Sequence, residues 1–398
     1  MTQTPVSQTP VTSNASVTVR ADLPALDLPA LGVGPSRRST ARRVAVLNEW
    51  FEQTGGAEQV LVAVHETLPG ATTYVLWSDR DIRAYPGMRE SWLARTPVRG
   101  RKALALPLIP LVWRTQTRQR YDVVLSLSHS LNHTARFPLN PGGVHLAYVH
   151  TPARYVWMPE IDSRGSGVAQ RAVVAGIKRL ELRSSRHVTS YAANSHAVAQ
   201  RIERFWNREA RVIHPPCRTE FFAAAPEPEQ RQNRDYLLGY GRWVPYKRYD
   251  FMIEVAARAG LPLVIAGAGP QEDHLRRRAA DSGAEVRFVV RPTDEQLRRL
   301  VWGARAVLYP AHEDFGIVAV EAQACGTPVV GLRVGGLLDS VQDGRTGILL
   351  PDLDARRFAD AVGAADHLDR TAIRAHAAGF STAAFKRAVT AWIEEVAA

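Results

Sequence analysis

Two carboxylates set the reading of this 398-residue chain. Glu313 and Glu321 stand eight positions apart in the stretch HEDFGIVAVEAQACGTPVV, from His312 to Val330. Glu313 falls in a loop just ahead of a helix, and Glu321 falls inside that helix, in the apolar run IVAVEAQAC. A carboxylate in a run that reads as buried is costly unless something bonds it. The helix start at Phe315 and Gly316 turns backbone N–H groups outward, where they suit an anion or sugar oxygens. One segment therefore offers an acceptor at the helix mouth, donors at its tip and a second acceptor deeper in. That set fits a phosphorylated, hydroxyl-rich ligand.

A second group lies in GYGRWVPYKRYD, where Arg242 and Lys247 are five apart with Pro245 between them. The loop leaves the carboxyl end of a strand, and two cations there can clamp a diphosphate, Arg as a fork and Lys as a compact charge. The competing reading is an exposed basic loop. The clamp is preferred because this loop and the Glu313–Glu321 segment share one sheet edge. TGGAEQV (54–60) adds a strand-to-helix turn whose paired glycines, Gly55 and Gly56, let a backbone approach a ligand closely. His150 ends a strand in YVHTPARYVW, followed by Arg154, Tyr155 and Trp157. A histidine at such a tip can contact a reacting group, or simply satisfy a backbone carbonyl. His129 and His133 are four apart, but Leu131, Asn132 and Thr134 do not read as helix interior, so no metal site is assigned there. IAGAGPQ (265–271) lacks the third glycine and the acidic residue of a dinucleotide fingerprint, so its glycines read as a tight turn beside a ligand. In FVVRPTDEQL (288–297) Asp294 is expected to cap the following helix, with the loop backbone facing a nucleobase.

The elements that must position these residues alternate regularly. VAVLN (44–48), TYVLW (73–77), DVVLSLS (122–128), HLAYVH (145–150) and HVTSYAAN (187–194) read as buried strands separated by helices. Ser195 is a good N-cap for the helix HAVAQRIERFW. After a proline-rich, charged break the alternation restarts with YLLGYG (236–241), LPLVIAGAG (261–269), EVRFVV (285–290), ARAVLYPA (304–311), TPVVGL (327–332) and TGILLP (346–351). The expected fold is α/β, two tandem doubly wound Rossmann-like domains with a ligand cleft between them. The domain plan is a disordered leader over 1–40, a first Rossmann-like domain over 41–215, a linker over 216–233, a second Rossmann-like domain over 234–381 and a helix over 382–398.

Composition narrows the partners. The net charge is +11, from 50 Lys and Arg against 39 Asp and Glu. Anionic small-molecule ligands account for it most simply; docking on an anionic membrane is the next reading, and no nucleic-acid-binding module is seen. Cys217 and Cys325 are the two cysteines, which excludes a disulfide framework beyond one bridge and a Cys-type metal cluster. No charge-free apolar run reaches about 18 residues, and no secretory signal is read, so the expectation is a cytoplasmic protein.

Together these residues resemble the retaining GT-B glycosyltransferases, glycosyl transferases group 1. The resemblance spans roughly residues 43–395 and is carried by EDFGIVAVEAQACGTPVV, GRWVPYK, IAGAGP and FVVRPTDEQL. YVHTPARYVW is similar to a subgroup of bacterial polysaccharide mannosyltransferases. The resemblance implies that Arg242 and Lys247 hold the donor diphosphate and that Glu321 accepts from the ribose hydroxyls. It implies that Glu313 contacts hydroxyls of the donor sugar, and that the backbone of Phe315, Gly316 and Ile317 bonds sugar or phosphate. Gly56 would approach the phosphate from the other side, His150 would lie near the anomeric carbon, and Arg291 would lie near the base through its backbone. The chain departs from the family pattern at Val290, often Gly, and at Thr151, where some members have Asp. The implied activity is hexose transfer, mannose first, from a GDP- or UDP-sugar to a hydroxyl acceptor with retention, without a cofactor or metal. A lipid-linked glycan at the inner membrane face is the first acceptor considered, with peripheral membrane contact, and a soluble natural product the second. An epimerase or phosphorylase on the same plan, or a non-catalytic nucleotide-sugar binder, stays open.

Overall fold

The computed structural model describes residues 42–53, 55–158, 168–225 and 234–398, with the backbone alone for 168–172. The expected leader, Thr54 and the second half of the expected linker lie outside the described residues.

The first half is a seven-stranded sheet. Its strands are β1 (Val44–Phe51), β2 (Thr72–Ser78), β3 (Met88–Glu90), β4 (Tyr121–Ser128), β5 (Leu139–Val149), β6 (Ser190–Ala193) and β7 (Ala210–Val212). They run in the order β3-β2-β1-β4-β5-β6-β7, and every pairing is parallel. The second half is a six-stranded parallel sheet built from β8 (Tyr236–Arg242), β9 (Leu263–Ala268), β10 (Val286–Val290), β11 (Ala304–Tyr309), β12 (Val329–Leu332) and β13 (Gly347–Leu350), in the order β10-β9-β8-β11-β12-β13. Both sheets are doubly wound, as the uninterrupted apolar strands require: a strand covered on both faces has no solvent side to alternate toward. Val46, Leu47, Leu125 and Leu127 are fully buried in the first sheet, and Leu237, Leu238, Val307 and Ile265 in the second. β3 and β7 escaped the sequence reading because each is a three-residue edge strand.

In each sheet the strand order reverses once, between β1 and β4 and between β8 and β11. The carboxyl ends of strands flanking such a reversal splay their loops apart and leave a crevice. Arg242 ends β8, and Gly56, Lys247 and Glu313 follow β1, β8 and β11, so all four lie at these two reversals.

The chain passes between the halves twice. Cys217 N–H donates to Phe380 O at 3.0 Å, where the outgoing and returning strands of chain run side by side. The helix Thr382–Val396 then packs on the first sheet: Phe385, Val389, Trp392 and Ile393 share a core with Val46, Leu125 and Tyr148. Trp392 Nε1 donates to Ser190 Oγ at 2.9 Å, and Lys386 pairs with Glu66 at 2.7 Å. Within the expected linker, Thr219–Ala223 is helical and Phe222 is fully buried in the second half's core.

Candidate active site

Local sequence places each polar group. Tyr309 ends β11 with its ring buried, and its hydroxyl donates to Glu313 Oε2. Burial, then the adjacent Glu313 carboxylate, pushes the Tyr309 phenol well above its ordinary range, so it stays a donor. Lys247, at the end of the short turn Pro245–Lys247, pairs with Glu313 Oε1. The carboxylate is therefore held from both sides, at 17% side-chain exposure against 13% for Lys247. Arg242 is exposed, and its guanidinium has no hydrogen-bond or ion-pair partner among the described residues. Its loop is shaped by close glycine contacts: a Cβ on Gly267 would lie 1.9 Å from Gly241 O, and one on Gly269 2.4 Å from Trp243 O. The glycines of IAGAGPQ thus serve close approach of two backbones.

The turn behind Glu313 rests on a second glycine pair that the sequence reading passed over. A Cβ on Gly336 would lie 2.1 Å from Asp314 O and 2.2 Å from Phe315 Cα. Gly336 N–H donates to Glu313 O at 2.9 Å. The GG of LRVGGLLDS after β12 was the available signal. Gly316 takes φ +93° as it enters the helix Ile317–Ala324, a left-handed geometry that a side chain resists. Ser340 Oγ donates to Phe315 O at 3.2 Å. The backbone N–H groups of Phe315, Gly316 and Ile317 donate to no acceptor among the described residues, so the helix tip presents free donors. Facing them is Gly56, at the start of the helix Gly56–Thr67; a Cβ there would sit 2.7 Å from Ile317 Cδ1.

Glu321 lies deeper in the same helix, its side chain 6% exposed. Burial raises its pKa to about 7, with Arg218 opposing. Arg218 Nε stands 3.6 Å from Glu321 Oε1 and its guanidinium pairs with Asp294 at 2.5 Å. Asp294 is thus an ion-pair partner at the first helical position. The expected Asp294 cap is corrected: Thr293 is the N-cap, accepting from Gln296 N–H at 3.2 Å while Gln296 Oε1 accepts from Thr293 N–H at 2.9 Å. A β-region threonine before the helix wins because its hydroxyl reaches the third N–H. The Ser195 cap stands as expected, accepting from Val198 N–H at 3.2 Å. Arg291 adopts φ +48°, and its N–H donates to Gly267 O at 2.8 Å.

The first half contributes His150 and what surrounds it. His150 N–H donates to Ser128 O at 2.8 Å, while ring Nε2 has no partner among the described residues. Burial, then His129, holds its pKa down to about 3, so the ring is neutral. The neighbouring His129, 5.9 Å from the His150 ring, leads to a carboxylate not singled out from the sequence, Glu49, fully buried near the end of β1. Glu49 accepts backbone N–H groups from Asn132 at 2.9 Å, Ser130 at 3.1 Å and His129 at 3.3 Å. Burial lifts it to about 7 against those donors. His133 instead stacks on Trp206 at 4.1 Å and lies 3.6 Å from Glu181, well inside the half. The two halves are clasped by Asp314, which pairs with both Arg154 and Arg201. Arg201 also reaches Thr151 Oγ1 at 3.4 Å and His312 Nε2 at 3.3 Å.

The structure thus joins Lys247, Glu313, Phe315, Gly316, Ile317 and Gly56 into one continuous rim, with Arg242 open beside it. Glu321 stands one helix turn behind, with Arg218. The chemistry available is binding of a doubly charged phosphate with polyol oxygens on both sides.

Known proteins share this plan. The sequence profile of the family described as glycosyl transferases group 1 matches residues 222–377. A D-inositol 3-phosphate glycosyltransferase of Mycolicibacterium paratuberculosis is 30% identical over 313 residues, 69% of this chain and 69% of the relative. One of Mycobacteroides abscessus is 33% identical over 236 residues, 54% of this chain; the match spans about half of that relative, 51%. Among solved structures, Anabaena Alr3699/HepE in complex with UDP matches 89% of this chain and 100% of its own, at TM-score 0.67 and 18% identity. Sucrose-phosphate synthase from Thermosynechococcus elongatus matches 89% and 99%, at TM-score 0.69 and 18% identity. At such identities the likeness is one of fold.

Proposed function

We propose, for a chain that belongs to the group 1 glycosyltransferases, that it transfers a hexose from a nucleoside-diphosphate sugar to a hydroxyl acceptor with retention of the anomeric configuration. The observation that carries this reading is the rim at the β8/β11 reversal. It holds an unpaired Arg242, a Lys247 shared with Glu313, and three free backbone donors at the tip of the helix Ile317–Ala324.

The roles follow from charge. The departing nucleoside diphosphate gains negative charge at its bridging oxygen. Arg242, Lys247 and the helix-tip N–H groups are fixed where that charge develops, which lowers the barrier without reorganisation. This work is done by side-chain and backbone donors, with no metal assigned to it. Glu313, relieved of part of its pairing when the diphosphate engages Lys247, accepts from hydroxyls of the donor sugar. Glu321 accepts from the ribose; its lifted pKa reflects a site that hydroxyl donors would relieve. Neutral His150 presents an unpartnered Nε2 beside the transferring carbon, able to bond a sugar hydroxyl. The Asp314 clasp holds the halves together over the donor and excludes water.

Mannose from a guanosine donor is the first choice, carried by HTPARYVW; a uridine donor is the second. A lipid-linked acceptor is favoured by one surface feature. Leu104 and Leu111 are 55% and 50% exposed in a segment that also exposes Arg101, Arg114, Arg118 and Arg120, which suits anionic headgroups over an apolar layer. Polysaccharide or glycolipid assembly is the process such an acceptor would serve.

The test is a donor and acceptor panel. Melting shifts with GDP, UDP and their sugar conjugates identify the base, because a ligand of the native state stabilises it by mass action. Proton NMR of the product then reports the anomeric configuration. Stabilisation by one diphosphate and an unchanged anomer are expected. No stabilisation by any nucleoside diphosphate, or an inverted product, overturns the reading.

A further inference from the structure

Three side chains outside the rim converge where the two halves meet. His196 is the first residue of the helix His196–Trp206 in the first half, His214 lies on the segment leading to the second half, and Asp339 sits on the short helix Leu337–Ser340. One imidazole nitrogen from each histidine and one carboxylate oxygen lie within 4.8 Å of one another. Both rings aim at the same oxygen: His196 Nδ1 bonds Asp339 Oδ1 directly, and His214 Nε2 stands 3.3 Å from it. Both Asp339 oxygens accept the His196 backbone N–H at 3.2 Å. The carboxylate side chain is 3% exposed. A buried anion is thus held with two imidazoles, which carry a compensating charge only when protonated.

We propose that His196, His214 and Asp339 bind a divalent transition-metal ion of the zinc type. Two imidazole nitrogens and one carboxylate oxygen form a ligand set for Zn2+, with a fourth, tetrahedral position left to water. Mg2+ and Ca2+ prefer oxygen ligands and are excluded by the same choice. The ion has a way in, since the His196 side chain is 72% exposed and that of His214 32%. The His196 backbone N–H, shared between both Asp339 oxygens, orients the carboxylate for the metal, as groups outside the ligand shell commonly do. The ion replaces the two ring hydrogen bonds to one oxygen with three coordinate bonds and balances the buried charge.

The position gives the ion a consequence. It ties the first half, the connecting segment and the second half at one point, so binding favours the arrangement in which they meet. The His214 ring also packs against Phe315 at 5.4 Å, directly ahead of the helix tip with its free donors. Occupancy therefore stabilises the arrangement in which the halves meet and steadies the rim, without the ion touching the transferred sugar.

The experiment uses the tag-free full chain, dialysed with excess Zn2+ and then against buffer, with metal measured by mass spectrometry. About one equivalent should be retained, and Zn2+ alone, without nucleotide, should raise the melting temperature. Co2+ should give the visible absorption of a tetrahedral site, and Mg2+ should have no effect. His196→Ala and His214→Gln should each abolish retention and the Zn2+ shift while melting cooperatively. His196 is solvent-facing and keeps its backbone bond to Asp339, so its variant tests ligation rather than folding. Retention below about one-tenth of an equivalent by the wild type, or undiminished retention by both variants, would overturn the proposal. Neither readout involves sugar transfer, so the result stands apart from the proposed activity.

Discussion

Glu313→Gln separates the charge of this carboxylate from its shape. Gln keeps the size and still accepts from Tyr309, but it releases Lys247. Two unit charges about 4 Å apart are worth about 4 kcal/mol at an effective dielectric of about 20. The pair is 13% and 17% exposed, so solvent takes part of that. A net gain of about 1–2 kcal/mol for a diphosphate that now meets an uncommitted ammonium is a fair magnitude, roughly five- to thirtyfold in affinity. Transfer should move the other way. Losing a charged acceptor for the sugar hydroxyls removes about 1.5–3 kcal/mol, or about 10- to 150-fold in kcat/KM. Calorimetric titration with the preferred nucleoside diphosphate, set beside initial transfer rates, reads both. If affinity and transfer fall together by the same factor, Glu313 only shapes its loop and the charge reasoning is refuted.

Arg242 is exposed and unpartnered, so Arg242→Ala should leave stability within about 0.5 kcal/mol while weakening diphosphate binding at least about tenfold; equal titration curves for the two proteins would remove it from the clamp. Gly336→Ala drives a Cβ into the backbone of Asp314 and Phe315, so a stability loss of about 1–3 kcal/mol and a collapse of transfer are expected in urea melts and rate assays. Gly363→Ala, in a helix with nothing within 4 Å of the new methyl, should instead stabilise by about 0.5–1 kcal/mol. Glu181 is buried with a pKa raised to about 8 by burial, above the unfolded value of about 4.3, so its contribution is fully present below that value and is lost as pH rises through about 8. Glu181→Gln, which can still accept from Trp157, should therefore stabilise by about 2–4 kcal/mol at pH 8 and by much less at pH 5; a gain independent of pH would contradict the assignment.

Periodicity and punctuation in the chain determined most of the scaffold. Uninterrupted apolar runs announced strands covered on both faces, and eleven of the described strands stand where those runs lie. Ser195 announced its own helix, because a cap acts on residues two and three positions away. Edge strands of three residues left no periodic signal, and Thr293 displaced Asp294 as the cap through a hydroxyl geometry that composition does not encode. The rim residues Lys247, Glu313, Gly316 and Ile317 were legible as types with spacing. Their pairing was not. That Glu313 is shared by Lys247 and Tyr309, that Arg218 guards Glu321, and that Asp314 is gripped by Arg154 and Arg201 depends on contacts across 66, 103, 160 and 113 positions as well as on near neighbours. Glu49, Gly336 and the His196–His214–Asp339 cluster were hidden for the same reason. A single carboxylate, glycine or histidine has many local uses, and only the folded chain decides which backbone or which distant charge comes within bonding distance.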